Sequence, residues 1–206
     1  MAGVTGVDPD RTTNRLTLSN AITLLRLVCV PFVCVAILDR SWPLACLLFW
    51  LAVGTDLVDG RLARARGESS RFGGMLDHAS DASFVVAGLG ALAASGRLTR
   101  VLPVVVAVAF VQYVLDSRWL AGQPLRASRL GRWNGVAYFV PVGIVVTREA
   151  LALPWPGDGF IAVVAWGLVV STGVSVADRA VTLLGLRWSR DRMTDRPADR
   201  EPPPHS

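Results

Sequence analysis

The sequence predicts an all-α integral membrane protein with six transmembrane helices. Three observations predict it. Of 206 residues, 52% are hydrophobic and only 18% charged, a balance beyond that of ordinary soluble domains. Six apolar stretches recur along the chain, several of them about 18 residues or longer, enough to cross a hydrocarbon core of roughly 30 Å at about 1.5 Å per residue. The arginines gather in alternate connections between those stretches, which is the positive-inside pattern.

Residues 1–18 form a polar N-terminal segment without a cleavable signal pattern, whose last part, from Arg15 to Asn20, suits a short amphipathic lead-in on the membrane surface. The spans are expected at about 20–38, 42–65, 73–95, 100–121, 133–152 and 159–184, so that 19–186 is one membrane domain. Residues 187–206, rich in Arg, Asp and Pro and running through Glu201-Pro202-Pro203-Pro204, are expected to be a disordered tail.

An even number of spans puts both termini on one side. With the termini in the cytoplasm, fifteen arginines fall on the inner segments and four, Arg40, Arg97, Arg100 and Arg148, on the outer ones. Trp42 and Trp155 lie near the outer ends, and Trp119, Trp133 and Trp188 near the inner ends, as interfacial belts require. The expected location is therefore the inner (cytoplasmic) membrane, crossed several times. Every basic residue is Arg and none is Lys, which, with the richness in Ala, Val and Gly, points to a GC-rich bacterial genome. The net charge of +5 is scattered over helix ends rather than drawn into one stripe with aromatics, so nucleic acid is not an expected partner. Cys29, Cys34 and Cys46 form no CxxC pair and read as small buried apolar residues.

The chemistry is concentrated where the second span ends and the third begins. Asp56, Asp59, Asp77 and Asp81 stand there. A carboxylate within a membrane segment costs a few kcal/mol on insertion scales and is kept where it faces a cavity, a partner or an ion. Asp56 and Asp59 are three residues apart and Asp77 and Asp81 four apart, so each pair projects from one face of its helix. A short connection makes the two helices antiparallel neighbours, which can bring the pairs face to face. Four carboxylates around one pocket repel unless hard divalent ions sit among them, and all-oxygen ligation suits magnesium, manganese or calcium. Gly60 and Ala63 follow Asp56 on the same face and leave room for a ligand to approach the backbone. Arg64 offers a planar fork suited to phosphate oxygens, and Gly73 is small where the third helix starts.

The pattern Asp56-x2-Asp59-Gly60-x2-Ala63-Arg64-x8-Gly73-x3-Asp77-x3-Asp81 resembles the signature of the CDP-alcohol phosphotransferases at every fixed position and spacing. The resemblance implies a homodimer of six-helix subunits with a polar active-site cavity open to the cytoplasm. It implies that Asp56, Asp59 and Asp77 hold two divalent ions, Mg2+ or Mn2+, that Asp81 is both a metal-site residue and the general base, and that Gly60, Ala63, Arg64 and Gly73 contact the CDP moiety. The reaction implied is transfer of a phosphatidyl group from CDP-diacylglycerol to an alcohol acceptor with release of CMP, a step of phospholipid biosynthesis.

The start of the first span, Leu18-Ser19-Asn20-Ala21-Ile22-Thr23-Leu24-Leu25-Arg26 with Pro31 beyond, looks like the matching segment of phosphatidylglycerophosphate synthases, which implies glycerol 3-phosphate as acceptor. Asn20, Thr23 and Arg26 share a helix face and are candidates to line the cavity; an N-cap followed by a snorkelling Arg is the equal alternative. Arg179, Arg118 and Arg129 are candidates to hold an acceptor phosphate, with Arg126 and Arg132 beside them. The turn Ser128-Arg129-Leu130-Gly131-Arg132 resembles a loop of glycerophosphate-using relatives that usually carries Lys, absent here. His78 lies inside the pattern without being one of its fixed positions. Two other readings stand beside the first: the same chemistry with an inositol phosphate or phosphatidylglycerol as acceptor, and, in another class, a cation or proton-coupled transporter whose acids form an ion path.

Overall fold

The computed structural model describes residues 18–66, 71–119 and 129–194, with side chains over 24–57, 78–115 and 133–182. These residues form seven helices and, among them, no strand. They are α1 (Leu18–Leu38), α2 (Trp42–Arg66), α3 (Arg71–Ala94), α4 (Val101–Trp119), α5 (Arg129–Ala137), α6 (Phe139–Ala150) and α7 (Asp158–Thr194). α1 packs against α2 and α3, α2 against α6, and α4 against α3 and α7.

The first four helices lie within two residues of the expected spans because sharp stops bound them. α1 and α3 end in the same cap. Ser41 N–H reaches Ala36 O at 2.8 Å and Arg40 N–H reaches Ile37 O at 3.1 Å; Arg97 N–H reaches Leu92 O at 2.9 Å and Gly96 N–H reaches Ala93 O at 3.2 Å. These paired bonds satisfy the last carbonyls and need one residue in the left-handed region, here Arg40 (φ 57°) and Gly96 (φ 79°). α6 closes the same way, with Ala152 at φ 47° and Leu153 N–H on Arg148 O at 2.9 Å.

Two expectations need correction. The span expected at 133–152 is two helices, α5 and α6, and the first turn of α5 includes Arg129 to Arg132, which the sequence suggests as a turn. Pro141 explains the break: it has no N–H for the Ala137 carbonyl and its ring crowds that oxygen. Tyr138 between them keeps a right-handed conformation (φ −66°, ψ −23°) and bonds back to Asn134 O at 3.0 Å, so the path kinks without unwinding. The second correction concerns the tail. α7 runs on past 186 to Thr194, because Leu186 to Met193 is Arg- and Leu-containing, with no Gly or Pro to stop a helix; the remainder, 195–206, lies outside the described residues.

The core is one cluster: Val33 and Ile37 of α1, Phe49 of α2, Phe84, Leu89 and Leu92 of α3, Leu102 and Val106 of α4, and Val142, Val145 and Val146 of α6. Gly143 lets α6 close on α2, since a Cβ there would meet the Phe49 ring at 3.0 Å. Thr147 then accepts a hydrogen bond from Trp50 Nε1 at 2.9 Å.

The outer surface of the described helices carries many large apolar side chains. Phe32, Leu47, Leu51, Val104, Val111, Val163 and Val170 are each more than half exposed, on five different helices if Val140 of α6, also exposed, is counted. Trp133 and Trp155 are 74% and 70% exposed. Large apolar side chains exposed on so many helices suit lipid better than water, as expected of a membrane protein. Among the described residues one stretch, Asp158–Thr182, is long and apolar enough by itself to cross a membrane, and only 22% of its apolar window is buried, unlike a soluble core helix. Shorter apolar stretches occupy Leu24–Leu38, Trp42–Leu57, His78–Ala94 and Val101–Leu115.

Candidate active site

The end of the bundle opposite the three caps holds the predicted acids. Arg26 lies on α1 well before Pro31, Asp56 lies in the second half of α2, and Asp81 lies in the third turn of α3. The three meet. Arg26 Nη2 is 2.5 Å from Asp56 Oδ1 and Arg26 Nη1 is 2.6 Å from Asp81 Oδ1. The guanidinium is 2% exposed, whereas the aspartates keep 40% and 27% of their side chains open. Arg26, for which lining the cavity and snorkelling were equal readings of the sequence, therefore does not snorkel: it is buried between two helices as a bridging cation. A charge this deep is held only when paired, and α1, which packs against both α2 and α3, carries the guanidinium between their acids; the direct packing of α2 on α3 expected from their short connection is not what joins the two acids.

The other members of the pattern, Asp59, Gly60, Ala63, Arg64, Gly73 and Asp77, stand on the same two helices, with side chains outside the described residues. The same holds for Asn20, Thr23, Arg118 and Arg129; Arg126 lies outside them altogether. Among the described residues no three His, Cys, Asp or Glu side chains gather as a metal site, two of the four predicted ligands being beyond that description. What is described fits a cation: two carboxylates from separate helices converge on one positive group and stay partly open.

Beside this cluster is a cavity of about 320 Å³ between α3, α4, α5 and α7. Arg179, His78, Gln112, Tyr113 and Tyr138 are among its walls, and the aspartates are not. Arg179 lies over the Tyr113 ring, 5.3 Å from its centre, and the His78 ring lies tilted against the same ring, with centroids 4.7 Å apart. Gln112 donates from Nε2 to Val176 O at 3.1 Å, and its buried Oε1 has no hydrogen-bond partner among the described residues. The far wall is rigid. Thr172 donates to Leu168 O at 2.6 Å, which uses its only proton, so Tyr138 is the donor in the 2.9 Å contact between the two hydroxyls. Ser171 holds Asn134 Oδ1 at 2.7 Å.

Gln112, Tyr113 and Tyr138 were not singled out from the sequence. Gln112 had a signal: it is a lone amide in the run Val101 to Val114, and a polar group within a membrane segment is functional by default.

A family model for CDP-alcohol phosphatidyltransferase matches residues 16–177. The chain belongs to that family. The match takes in Arg26, all four aspartates and most of the cavity wall, ending two residues before Arg179. Among individual proteins, the chain is 33% identical over 141 residues to a protein of Cereibacter sphaeroides named CDP-diacylglycerol--glycerol-3-phosphate 3-phosphatidyltransferase, covering 64% of each chain. Proteins of the same name from Escherichia coli K12 (31% over 139 residues, 65% of this chain and 72% of that one) and Haemophilus influenzae (26% over 136 residues, 62% and 74%) are also similar. The aligned stretch thus spans somewhat under two thirds of the first of these relatives.

Proposed function

We propose that this member of the family transfers a phosphatidyl group from CDP-diacylglycerol to an alcohol, with glycerol 3-phosphate as the acceptor and CMP as the leaving group. The observation that carries the proposal is the convergence of Asp56 and Asp81 on one buried guanidinium, because it brings acids of α2 and α3 to a common point inside a family-matched region. The shared name of the similar bacterial proteins supports this acceptor over an inositol phosphate or phosphatidylglycerol.

In this reading Asp56, Asp59, Asp77 and Asp81 hold two Mg2+ or Mn2+ ions. When bound, such ions supply charge neutralisation for the donor diphosphate and the departing CMP. The chain does the rest. Gly60, Ala63 and Gly73 leave room for the CDP moiety and Arg64 pairs with its phosphates. Arg179, with Arg118 and Arg129 from the ends of α4 and α5, holds the acceptor phosphate. The Gln112 carbonyl oxygen is available to a hydroxyl of a polyol acceptor. Asp81 takes the proton from the attacking hydroxyl as its oxygen bonds to the phosphatidyl phosphorus and the bond to CMP breaks. No covalent enzyme intermediate is required.

The same proposal includes six spans, with α5 and α6 as one kinked crossing, both termini in the cytoplasm, and a homodimer in the inner membrane. The arginine asymmetry and the apolar exterior support it. The test is CMP release by the purified chain given CDP-diacylglycerol, Mn2+ and one acceptor at a time. Release that depends on glycerol 3-phosphate is the expected result. Release only with another alcohol reassigns the acceptor, and no release with any acceptor, beside metal-dependent ion flux in vesicles, favours a carrier.

A further inference from the structure

We propose that Arg26 is a built-in substitute for the divalent ions: its guanidinium ties the acid ends of α2 and α3 together while the ions are absent and yields those carboxylates when they bind. The inference rests on the metal reading above and adds to it a residue from α1, which lies outside the aspartate pattern.

Three observations carry it. First, Arg26 is 3% exposed and its partners come from two helices, Asp81 being 55 residues away in sequence. A long-range buried cation of this kind sets the distance between α2 and α3. Second, both bridges end on Oδ1, at 2.5 and 2.6 Å, while the aspartates are still 40% and 27% open. A divalent ion seeks the same carboxylates at about 2.0–2.2 Å and has access from the open side. A guanidinium and a metal ion held by shared carboxylates repel each other, so each weakens the other's hold. Third, the sequence places four acids on this part of the two helices, and mutual repulsion would drive the helix ends apart in a metal-free protein with no internal cation. Arg suits the part better than Lys, since its planar fork reaches two carboxylates at once and cannot lose its charge.

A purely structural bridge would behave differently. It would hold the acids in place for the metal-free and metal-loaded protein alike, so that losing it would leave Mn2+ binding no tighter. The competing cation makes opposite contributions to the two states, and this separates the possibilities without any assay of turnover.

The experiment is Mn2+ binding to the full-length, detergent-solubilised chain after removal of metal with EDTA, read by calorimetry and by thermal melting, for the native protein and for Arg26→Gln. The variant is expected to bind Mn2+ on the order of tenfold more tightly, to melt lower than the native protein without metal, and to gain more from saturating Mn2+. Equal or weaker Mn2+ affinity in the variant overturns the role of Arg26 and leaves the metal site standing. Absence of Mn2+ binding to the native protein overturns both. Should Arg26→Gln fail to fold, Arg26→Lys decides: its point charge spans the two carboxylates poorly, so a several-fold gain in Mn2+ affinity is expected, and no gain rejects the proposal.

Discussion

The two ends of the bundle each bury an arginine between two acids, and they use the arrangement differently. At the capped end, Arg148 of α6 is 8% exposed and binds Glu149 at 2.6 Å, Asp158 at 2.6 Å and the Pro156 carbonyl at 3.1 Å. Glu149 also holds Arg97 at 2.8 Å, and Arg97 lies over Trp42 at 5.5 Å. Two cations meet two anions, and the chief partners of Arg148 are close in sequence. At the other end one arginine meets two acids from distant helices, and the sequence sets two more acids beside them. The first end is balanced and closed. The second, among the described residues, sets one arginine between two acids that stay partly open.

The contrast can be broken by exchanging stability for activity at each end. The largest effect is expected from Asp81→Asn. It removes the base and part of the ion site, so CMP release should fall by about 10²–10⁴-fold, while donor binding persists and the metal-free melting temperature falls, since buried Arg26 loses one of its two partners. Activity equal to the native protein would remove the base assignment. Asp56→Asn should instead weaken Mn2+ and donor binding together.

Next in size is Arg179→Gln, which takes the cation from the cavity wall. The KM for glycerol 3-phosphate should rise on the order of 10–100-fold with a smaller change in kcat, in line with a charge-assisted contact of about 1.5–3 kcal/mol. Initial-rate kinetics over acceptor concentration check this, and an unchanged KM would move the acceptor phosphate elsewhere.

At the balanced end, Glu149→Gln should do the reverse. It leaves Arg148 buried with only the exposed Asp158 as an anion, at a cost of about 1–3 kcal/mol, read as a lower melting temperature with turnover per folded molecule unchanged. A loss of turnover at constant stability would mean that the two ends are coupled. Smallest is Ala152→Gly. Ala152 closes α6 at a positive φ, and Gly there should raise stability by about 0.5–1 kcal/mol; a fall in the melting temperature would mean that the cap is not strained.

The sequence made the helices of the first two thirds readable because their limits are chemical: the apolar runs end at Asp39-Arg40, at the Arg-rich connection after Asp59, and at Gly96-Arg97. It hid the kink of the fifth span, since Pro141 reads as tolerable within an apolar run until the Ala137 carbonyl is seen to lose its donor. The length of α7 is hidden for the opposite reason: a charged stretch reads as disorder, whereas helix propensity and the lack of breakers prevail. At the site, helix geometry puts residues three or four apart on one face, so spacing marks Asp56 and Asp81 as candidates, and these two are the acids of the pattern whose side chains the structure describes. The partners of Arg26 are not legible, because periodicity gives the face a residue occupies and says nothing of which distant helix meets that face. The cavity wall shares this fate, being assembled from four helices.

In the proposed function the acids of α2 and α3 share one pair of divalent ions. Electron paramagnetic resonance of Mn2+ added to the metal-stripped native chain tests it most directly. Two bound Mn2+ per chain are expected, with a spectrum of magnetically coupled neighbours that is lost in Asp56→Asn. Uncoupled or unbound Mn2+ in the native protein, or a coupled pair that survives in Asp56→Asn, would contradict it.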